Sequence, residues 1–265
     1  MTDVSTRQHD IITLARQVGR VEVDDLARRF GVTPQTIRKD LNELVGRNIL
    51  NRTHGGATIG SGIENISYEA RRFVAADEKR RIAHAAAALI PNRSSLVINI
   101  GTTTEEVAAA LADHEDLMII TNNLNVAMQL YRHPSFEVIV AGGQVRRADG
   151  GVVGAQAVDL ISQFKVDTAV IGASAIDEDG SILDFDHREV RVAQAIIENA
   201  RHVILVADRT KLGRSAPVRI AHMDQIHTFV TDCLPSPRLR VLLAEQRVRL
   251  IETDGEGANG TSGKD

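Results

Sequence analysis

The chain has 265 residues, 43% of them hydrophobic and 25% charged, and a formal net charge of −4. That length fits one or two domains with room for a buried core, while an aromatic content of 3% without tryptophan excludes base stacking on single-stranded nucleic acid as a main activity. The single Cys233 excludes an internal disulfide framework and a cysteine-based zinc site.

No apolar run approaches the ~20 residues of a bilayer span. The opening MTDVSTRQHD has no apolar signal-peptide core, so a cytoplasmic protein is expected. The charge is uneven. Residues 1–58 hold nine basic and seven acidic side chains, a net of +2, and the remainder carries −6. Within 28–54 the local net is +4, a footprint suited to a nucleic-acid contact. The stretch Thr58-Ile-Gly-Ser-Gly-Ile-Glu-Asn65 reads as a linker. The predicted division is therefore 1–57, linker 58–66, a second domain over 67–253 and a disordered tail over 254–265.

In chain order, apolar spacing predicts helices over 8–17, 23–30 and 34–47. Gly31 suits a left-handed helix cap, Thr33 an N-cap, and Pro34 the first helical position. Two helices joined by a tight glycine turn make a helix-turn-helix. In the third helix Ile37, Leu41 and Leu44 form the inward stripe, and Gln35, Arg38, Lys39 and Asn42 share the opposite face. These are side chains that read base edges or grip phosphates. Thr33, Gln35 and Thr36 stand at the helix end where groove contacts concentrate. Residues 49–56 then read as a short strand and turn, a wing carrying Arg52 and His54 toward the DNA backbone. The competing reading is a solvated basic helix beside a small core.

From 67 the pattern changes to one long helix over 68–89, then strands at 96–100, 118–121, 137–141, 168–171, 203–207, 228–230 and 249–251. Helices at 105–112, 124–131, 155–163 and 187–200 lie between them. The alternation predicts an α/β domain with a mostly parallel sheet covered on both faces.

The segment Val32-Thr-Pro-Gln-Thr-Ile-Arg-Lys-Asp-Leu-Asn-Glu-Leu44, with Arg52-Thr-His-Gly-Gly-Ala57, resembles the DNA-binding segment of DeoR-family bacterial repressors. The resemblance continues to about Pro235 through Ile100-Gly-Thr-Thr103, Thr121-Asn-Asn-Leu-Asn-Val-Ala127, Ala141-Gly-Gly143 and Lys211-Leu-Gly-Arg214. It implies a winged helix-turn-helix followed by a sensor domain that looks like a sugar-phosphate isomerase and binds phosphorylated sugars or glycerol 3-phosphate. One departure stands out: many members have Asp two residues before the Gly-Thr-Thr, and here it is Asn99.

The residues of the second domain point the same way. Ligands of open α/β sheets sit at the carboxyl ends of strands, and the polar and glycine signals fall there. Gly101, Thr102 and Thr103 open a helix that offers free N–H groups to a phosphate. Asn122 and Asn123 follow the second strand, Gly142 and Gly143 the third, and Lys211 supplies a cation after the fifth; the resemblance implies phosphate contact at Gly101, Thr102, Thr103 and Lys211 and hydroxyl contact at Asn122, Asn123 and Asp186. Each signal alone also fits a plain N-cap, a tight turn or a surface lysine. No catalytic residue, metal site or cofactor is expected. An active isomerase would need a carboxylate base near the substrate carbon; the isomerases that the resemblance points to carry acids after the fourth strand, where this chain reads Gly172-Ala173-Ser174-Ala175. Asp184, Asp186, His187 and Glu189 fit helix capping better than a metal or acid–base cluster. The expected partners are double-stranded operator DNA, a small phosphorylated effector (glycerol 3-phosphate first), and further copies of the chain, at least a dimer.

Overall fold

The computed structural model describes residues 5–18, 20–46, 49–53, 55–58 and 68–254. The chain forms two compact units that divide between Ala76 and Asp77.

The first unit contains α1 (Thr6–Val18), β1 (Arg20–Glu22), α2 (Val23–Phe30), α3 (Pro34–Gly46), β2 (Asn51–Thr53), β3 (Gly56–Thr58) and α4 (Tyr68–Phe73). Ile11, Leu26, Ile37, Leu41 and Leu44 meet in one core. Gly31 caps α2 at φ 62° and ψ 32°, a left-handed conformation that costs glycine little. The antiparallel sheet has the order β1-β3-β2, so the wing has two strands beyond the helices and is closed by a third strand from between α1 and α2. Gly56 is required at its centre, because a Cβ there would stand 2.0 Å from the Val21 carbonyl oxygen.

Two expectations change here. The single helix predicted over 68–89 is broken: Val74 and Ala75 separate α4 from α5 (Ala76–Ala87), with Ala75 at φ 51°. Ala70 and Val74 join the core of the first unit, so the compact division falls at Ala76 rather than within 58–66. Residues 59–66 of the expected linker, residue 67 and residues 255–265 of the expected tail lie outside the described residues. The first residue assigned to that tail, Asp254, is held by Arg81 and Arg209.

The second unit is built on a seven-stranded sheet. Its strands are β4 (Ser95–Ile98), β5 (Leu117–Thr121), β6 (Phe136–Val140), β9 (Val166–Ile171), β12 (Ala200–Val206), β14 (Thr228–Thr231) and β15 (Arg249–Glu252). The order is β15-β14-β12-β9-β4-β5-β6 and every pairing is parallel. Alternate residues face opposite ways. Leu96, Ile98, Val170 and Ile204 pack with α5, α6 (Thr102–Ala110) and α7 (Leu124–Leu130). Val97, Ala169, Ile171 and Leu205 pack with α8 (Ala155–Ile161), α9 (His187–Glu198) and α10 (Pro237–Glu245). The two-sided burial explains why these strands read as continuous apolar runs.

All seven predicted strands are present, shifted by a few residues at their ends. The antiparallel additions were not foreseen. They are the hairpin β7 (Gln144–Val145) and β8 (Val152–Val153), and a small sheet of β10 (Ala175–Ile176), β11 (Ser181–Asp184) and β13 (Val218–His222). Of these β7, β8 and β10 have only two residues each, too few to carry a period. Helix α10 was also missed, although Ser236 as N-cap and Pro237 at N1 announce it.

Strands β4, β5 and β6 progress toward one edge, and β9, β12, β14 and β15 toward the other. The direction therefore reverses between β4 and β9. At such a switch point neighbouring loops diverge and leave a crevice beyond the carboxyl ends of the strands.

Candidate DNA interface and effector site

Pro34 starts α3 with the φ a helix needs, and the Thr33 hydroxyl accepts the Thr36 backbone N–H at 3.3 Å. The burial of Ile37, Leu41 and Leu44 fixes the rotation of α3. Gln35, Arg38, Lys39 and Asn42 consequently lie exposed on the other side, with exposed Thr33 and half-buried Thr36 at the helix start. Asp40, on the buried flank, accepts Arg7 Nε at 2.6 Å and Gln8 Nε2 at 3.3 Å, while Gln8 Nε2 also donates to Glu43 at 2.7 Å. Helix α1 thus anchors α3 by charge as well as by packing. Arg52 is exposed on β2. His54 lies outside the described residues.

In the second unit the Gly-Thr-Thr segment stands at the switch point. Gly101 occupies the N-cap position of α6 at φ 145°, a conformation favouring glycine. The Thr104 hydroxyl reaches the carbonyls of Asn99 at 2.7 Å and Gly101 at 2.8 Å, which holds the turn. Thr103 is buried and Thr102 half-buried in the first turn of α6. A Cβ on Gly172, beyond β9, would lie 3.9 Å from the Ile100 carbonyl oxygen and 4.0 Å from that of Val206. The ends of β4, β9 and β12 therefore converge. Asn99 is buried, and its Oδ1 accepts the Ile100 N–H at 2.8 Å.

Asn122 and Asn123 sit beside this turn at the end of β5, both fully buried. The β7–β8 hairpin folds back over them: Val152 N–H donates to the Asn122 carbonyl at 2.7 Å, and Leu124 N–H to that of Gly150 at 3.1 Å. Asn122 Nδ2 donates to the Val152 carbonyl at 3.3 Å, whereas its Oδ1 has no hydrogen-bond partner among the described residues. Asn123 is more committed. Its Oδ1 caps α7 through Asn125 N–H at 2.9 Å, and its Nδ2 donates to Glu105 at 3.1 Å. Gly142 is exposed, and Gly143 (φ 140°) opens the hairpin where a Cβ would stand 2.7 Å from the Val153 carbonyl oxygen. Lys211 is half-buried in a short 3-10 turn, Arg209–Lys211, beyond β12.

Asp186 is drawn into a different arrangement. It caps α9 through the Arg188 N–H at 2.9 Å and also accepts the Arg188 side chain. That guanidinium, with help from Arg146, holds its carboxyl well below the usual range against the opposing effect of burial. Arg146 is the centre of the group: it donates to Asp149 at 2.6 Å, Glu189 at 2.6 Å and Asp186 at 3.1 Å. Burial works to lower the pKa of its guanidinium, and the surrounding carboxylates more than offset that. Capping accounts for Asp186 as expected, but Glu189 turns to Arg146. Asp184 accepts the Ser174 hydroxyl at 2.8 Å and the Phe185 N–H at 2.6 Å. The sequence reading missed Arg146, whose signal was the Arg146-x-x-Asp149 pair ahead of a glycine turn.

Asp208, beyond β12, is also fully buried. Burial pushes its carboxyl up, but the charges of Lys211 and Lys79, with hydrogen bonds from Thr210, bring it below the usual range. A separate cavity of about 330 Å³, lined by Gln194, Ile197, Arg219 and Ile220 among others, includes none of the predicted effector residues.

A helix-turn-helix head with an exposed polar recognition face, followed by a doubly wound sheet whose order reverses between β4 and β9, defines a DNA-binding regulator with a ligand-sensing domain. Residues 7–61 match the DeoR-like helix-turn-helix domain, and residues 74–233 match the DeoR C-terminal sensor domain. The chain is 46% identical, over 92% of its length and 97% of the relative, to the glycerol-3-phosphate regulon repressor of Escherichia coli K12. It is 44% identical to that of Haemophilus influenzae over 95% of this chain and 98% of the relative. The chain belongs to the DeoR family and is a regulator of transcription rather than an enzyme. Among solved structures, ribose 5-phosphate isomerase A of Methanocaldococcus jannaschii aligns at TM-score 0.39 and 14% identity, covering 52% of this chain and 55% of that one. The translation initiation factor eIF-2B of Pyrococcus horikoshii aligns at TM-score 0.45 and 16% identity, covering 84% and 86%. Among the described residues no helix is long and apolar enough to cross a membrane.

Proposed function

We propose that this protein represses genes of glycerol and glycerol 3-phosphate metabolism, binding its operator through α3 and releasing it when glycerol 3-phosphate occupies the switch-point crevice. The observation that carries this reading is the near-full-length identity to two glycerol-3-phosphate regulon repressors. The crevice has suitable chemistry. The start of α6 offers backbone N–H groups and threonine hydroxyls to a phosphate, Lys211 adds a cation, and the free Oδ1 of Asn122 suits a hydroxyl donor.

Phosphate contact is assigned to Gly101, Thr102, Thr103 and Lys211. Hydroxyl contact is assigned to Asn122, and more remotely to Asn123 and Asp186, whose side chains already serve α7 and α9. The glycines Gly142 and Gly143 shape the hairpin over the crevice. On the DNA side Gln35, Arg38 and Asn42 read bases, while Lys39, Thr33, Thr36, Arg52 and His54 hold the backbone. The working unit is at least a dimer in the cytoplasm, since two heads are needed to read paired half-sites.

Release is a population shift: the effector favours the sensor state whose heads bind DNA weakly. Full induction asks for a differential affinity of about 5 kcal/mol. The test is operator-binding anisotropy of the full chain against a panel of phosphates. Glycerol 3-phosphate should release the operator at the lowest concentration. Release by only a pentose or hexose phosphate would move the effector assignment to that sugar, and no response to any phosphate would overturn the sensor reading.

A further inference from the structure

Helix α5 is the first element of the second unit, so whatever holds its opening turn holds the point where the chain arrives from the DNA-binding unit. That turn is clamped to the loop beyond β12. Glu78 lies 3.8 Å from Arg209 Nη2. Arg81 Nε donates to Asp254 at 3.1 Å and Arg209 Nη2 donates to the same carboxylate at 3.1 Å, so Asp254 bridges α5 and the loop. Lys79, only 2% exposed, places its charge on the buried Asp208, which also feels Lys211.

The loop is tied to itself and to the end of β14. Asp208 Oδ1 accepts the Thr210 N–H at 2.9 Å, and the Lys211 N–H returns to the Asp208 carbonyl at 3.0 Å. Arg209 N–H donates to the buried Asp232 at 2.6 Å, and Arg209 Nε meets the same carboxylate at 2.7 Å. Arg209 and Lys211 are therefore the two ends of one three-residue turn, Arg209 reaching the start of α5 through Glu78 and Asp254 and Lys211 placing its charge on Asp208.

We propose that this turn is the lever of induction: phosphate engagement of Lys211 shifts the turn, loosens or re-seats the grip of Arg209, Asp208 and Asp254 on the opening of α5, and so couples effector binding to the DNA-binding unit. The proposal rests on the assignment of Lys211 to the phosphate. The pairs of Arg81 (44% exposed) and Arg209 (48%) with Asp254 add little to stability, while the pair of Arg209 with the fully buried Asp232 anchors the turn; the Asp254 bridge is the part of the clamp that can re-seat without unfolding the domain.

The test uses full-length Arg209→Gln and Asp254→Asn. Operator affinity is read by anisotropy with and without glycerol 3-phosphate, effector affinity by calorimetry, and folding by circular dichroism. Both variants should keep operator affinity without effector, and effector affinity, within about threefold of the parent. The effector-driven loss of operator affinity should shrink about tenfold or more. Melting temperatures that move while that ratio stays at the parental value in both variants would overturn the lever and leave a clamp. Lys211→Ala separates the two claims. If it binds glycerol 3-phosphate as the parent does, the phosphate assignment fails and the lever with it. If its effector binding is lost while both clamp variants keep the parental ratio, the lever alone fails.

Discussion

Arg146 Nη2 donates to Glu189 at 2.6 Å, fastening the hairpin beyond β6 to the first turn of α9. The same guanidinium serves Asp149 and Asp186, so three carboxylates share this cation in a largely buried place, Asp186 with Arg188 as well. Replacing it leaves like charges facing one another. Arg146→Gln should destabilise the second unit by about 3–5 kcal/mol, read as a lowered urea midpoint in circular dichroism. A midpoint unchanged within error would mean the cluster is solvated.

The acid side of the stability profile follows from Asp186. The Arg188 side chain, foremost, holds its carboxyl below the usual range. The folded state therefore binds this proton less readily than the unfolded chain. The contribution is fully present above the unfolded carboxylate pKa of about 4 and is lost as pH falls below it. Melting temperature should fall in that acid range, and Arg188→Gln should flatten the fall. An equally steep fall in Arg188→Gln would assign it to other carboxylates.

On α3, Arg38→Ala should weaken operator binding by about 1–3 kcal/mol and relax base preference at one position. Lys39→Ala should weaken all sequences alike and reduce the salt slope by about one. Anisotropy titrations over a salt series distinguish the two, and an Arg38→Ala protein with parental discrimination would remove Arg38 from the base-reading set.

Asp40→Ala removes the acceptor of both Arg7 and Gln8. Hydrogen bonds to charged groups contribute about 1.5–3 kcal/mol, so the first unit should melt earlier and operator affinity should fall although no DNA-facing residue has changed. Retained affinity together with a lower melting temperature would show that α3 keeps its seat by packing alone.

Thr103→Val swaps a hydroxyl for a methyl of similar size in the first turn of α6. Operator binding should be retained, while glycerol 3-phosphate should release the operator only at concentrations about tenfold higher or more. Parental sensitivity would move the phosphate away from α6.

Much of the recognition helix was readable because its signals are local. Thr33, Pro34 and the Ile37, Leu41, Leu44 stripe lie within twelve residues, and helical geometry alone sends Arg38 and Lys39 to the other face. The strands and the glycine turns after them were likewise readable from short windows. The crevice was readable only as loops that share the carboxyl edge. Asn123 looked like a ligand-facing amide, but capping α7 and serving Glu105 occupy its side chain. Arg146 went unread, because its partners Asp186 and Glu189 stand 40 and 43 positions away.

The sequence by itself determined the two parts of the chain, the helix-turn-helix, the strand–helix alternation and the basic segment inside an acidic protein. Each rests on period, capping or charge within one or two turns of backbone. Tertiary structure decided the strand order that puts the switch point between β4 and β9, the fold-back of the hairpin over Asn122, and the junction of Lys79 and Lys211 on Asp208. Those depend on which strands pair and where distant charges meet, and no local period encodes either.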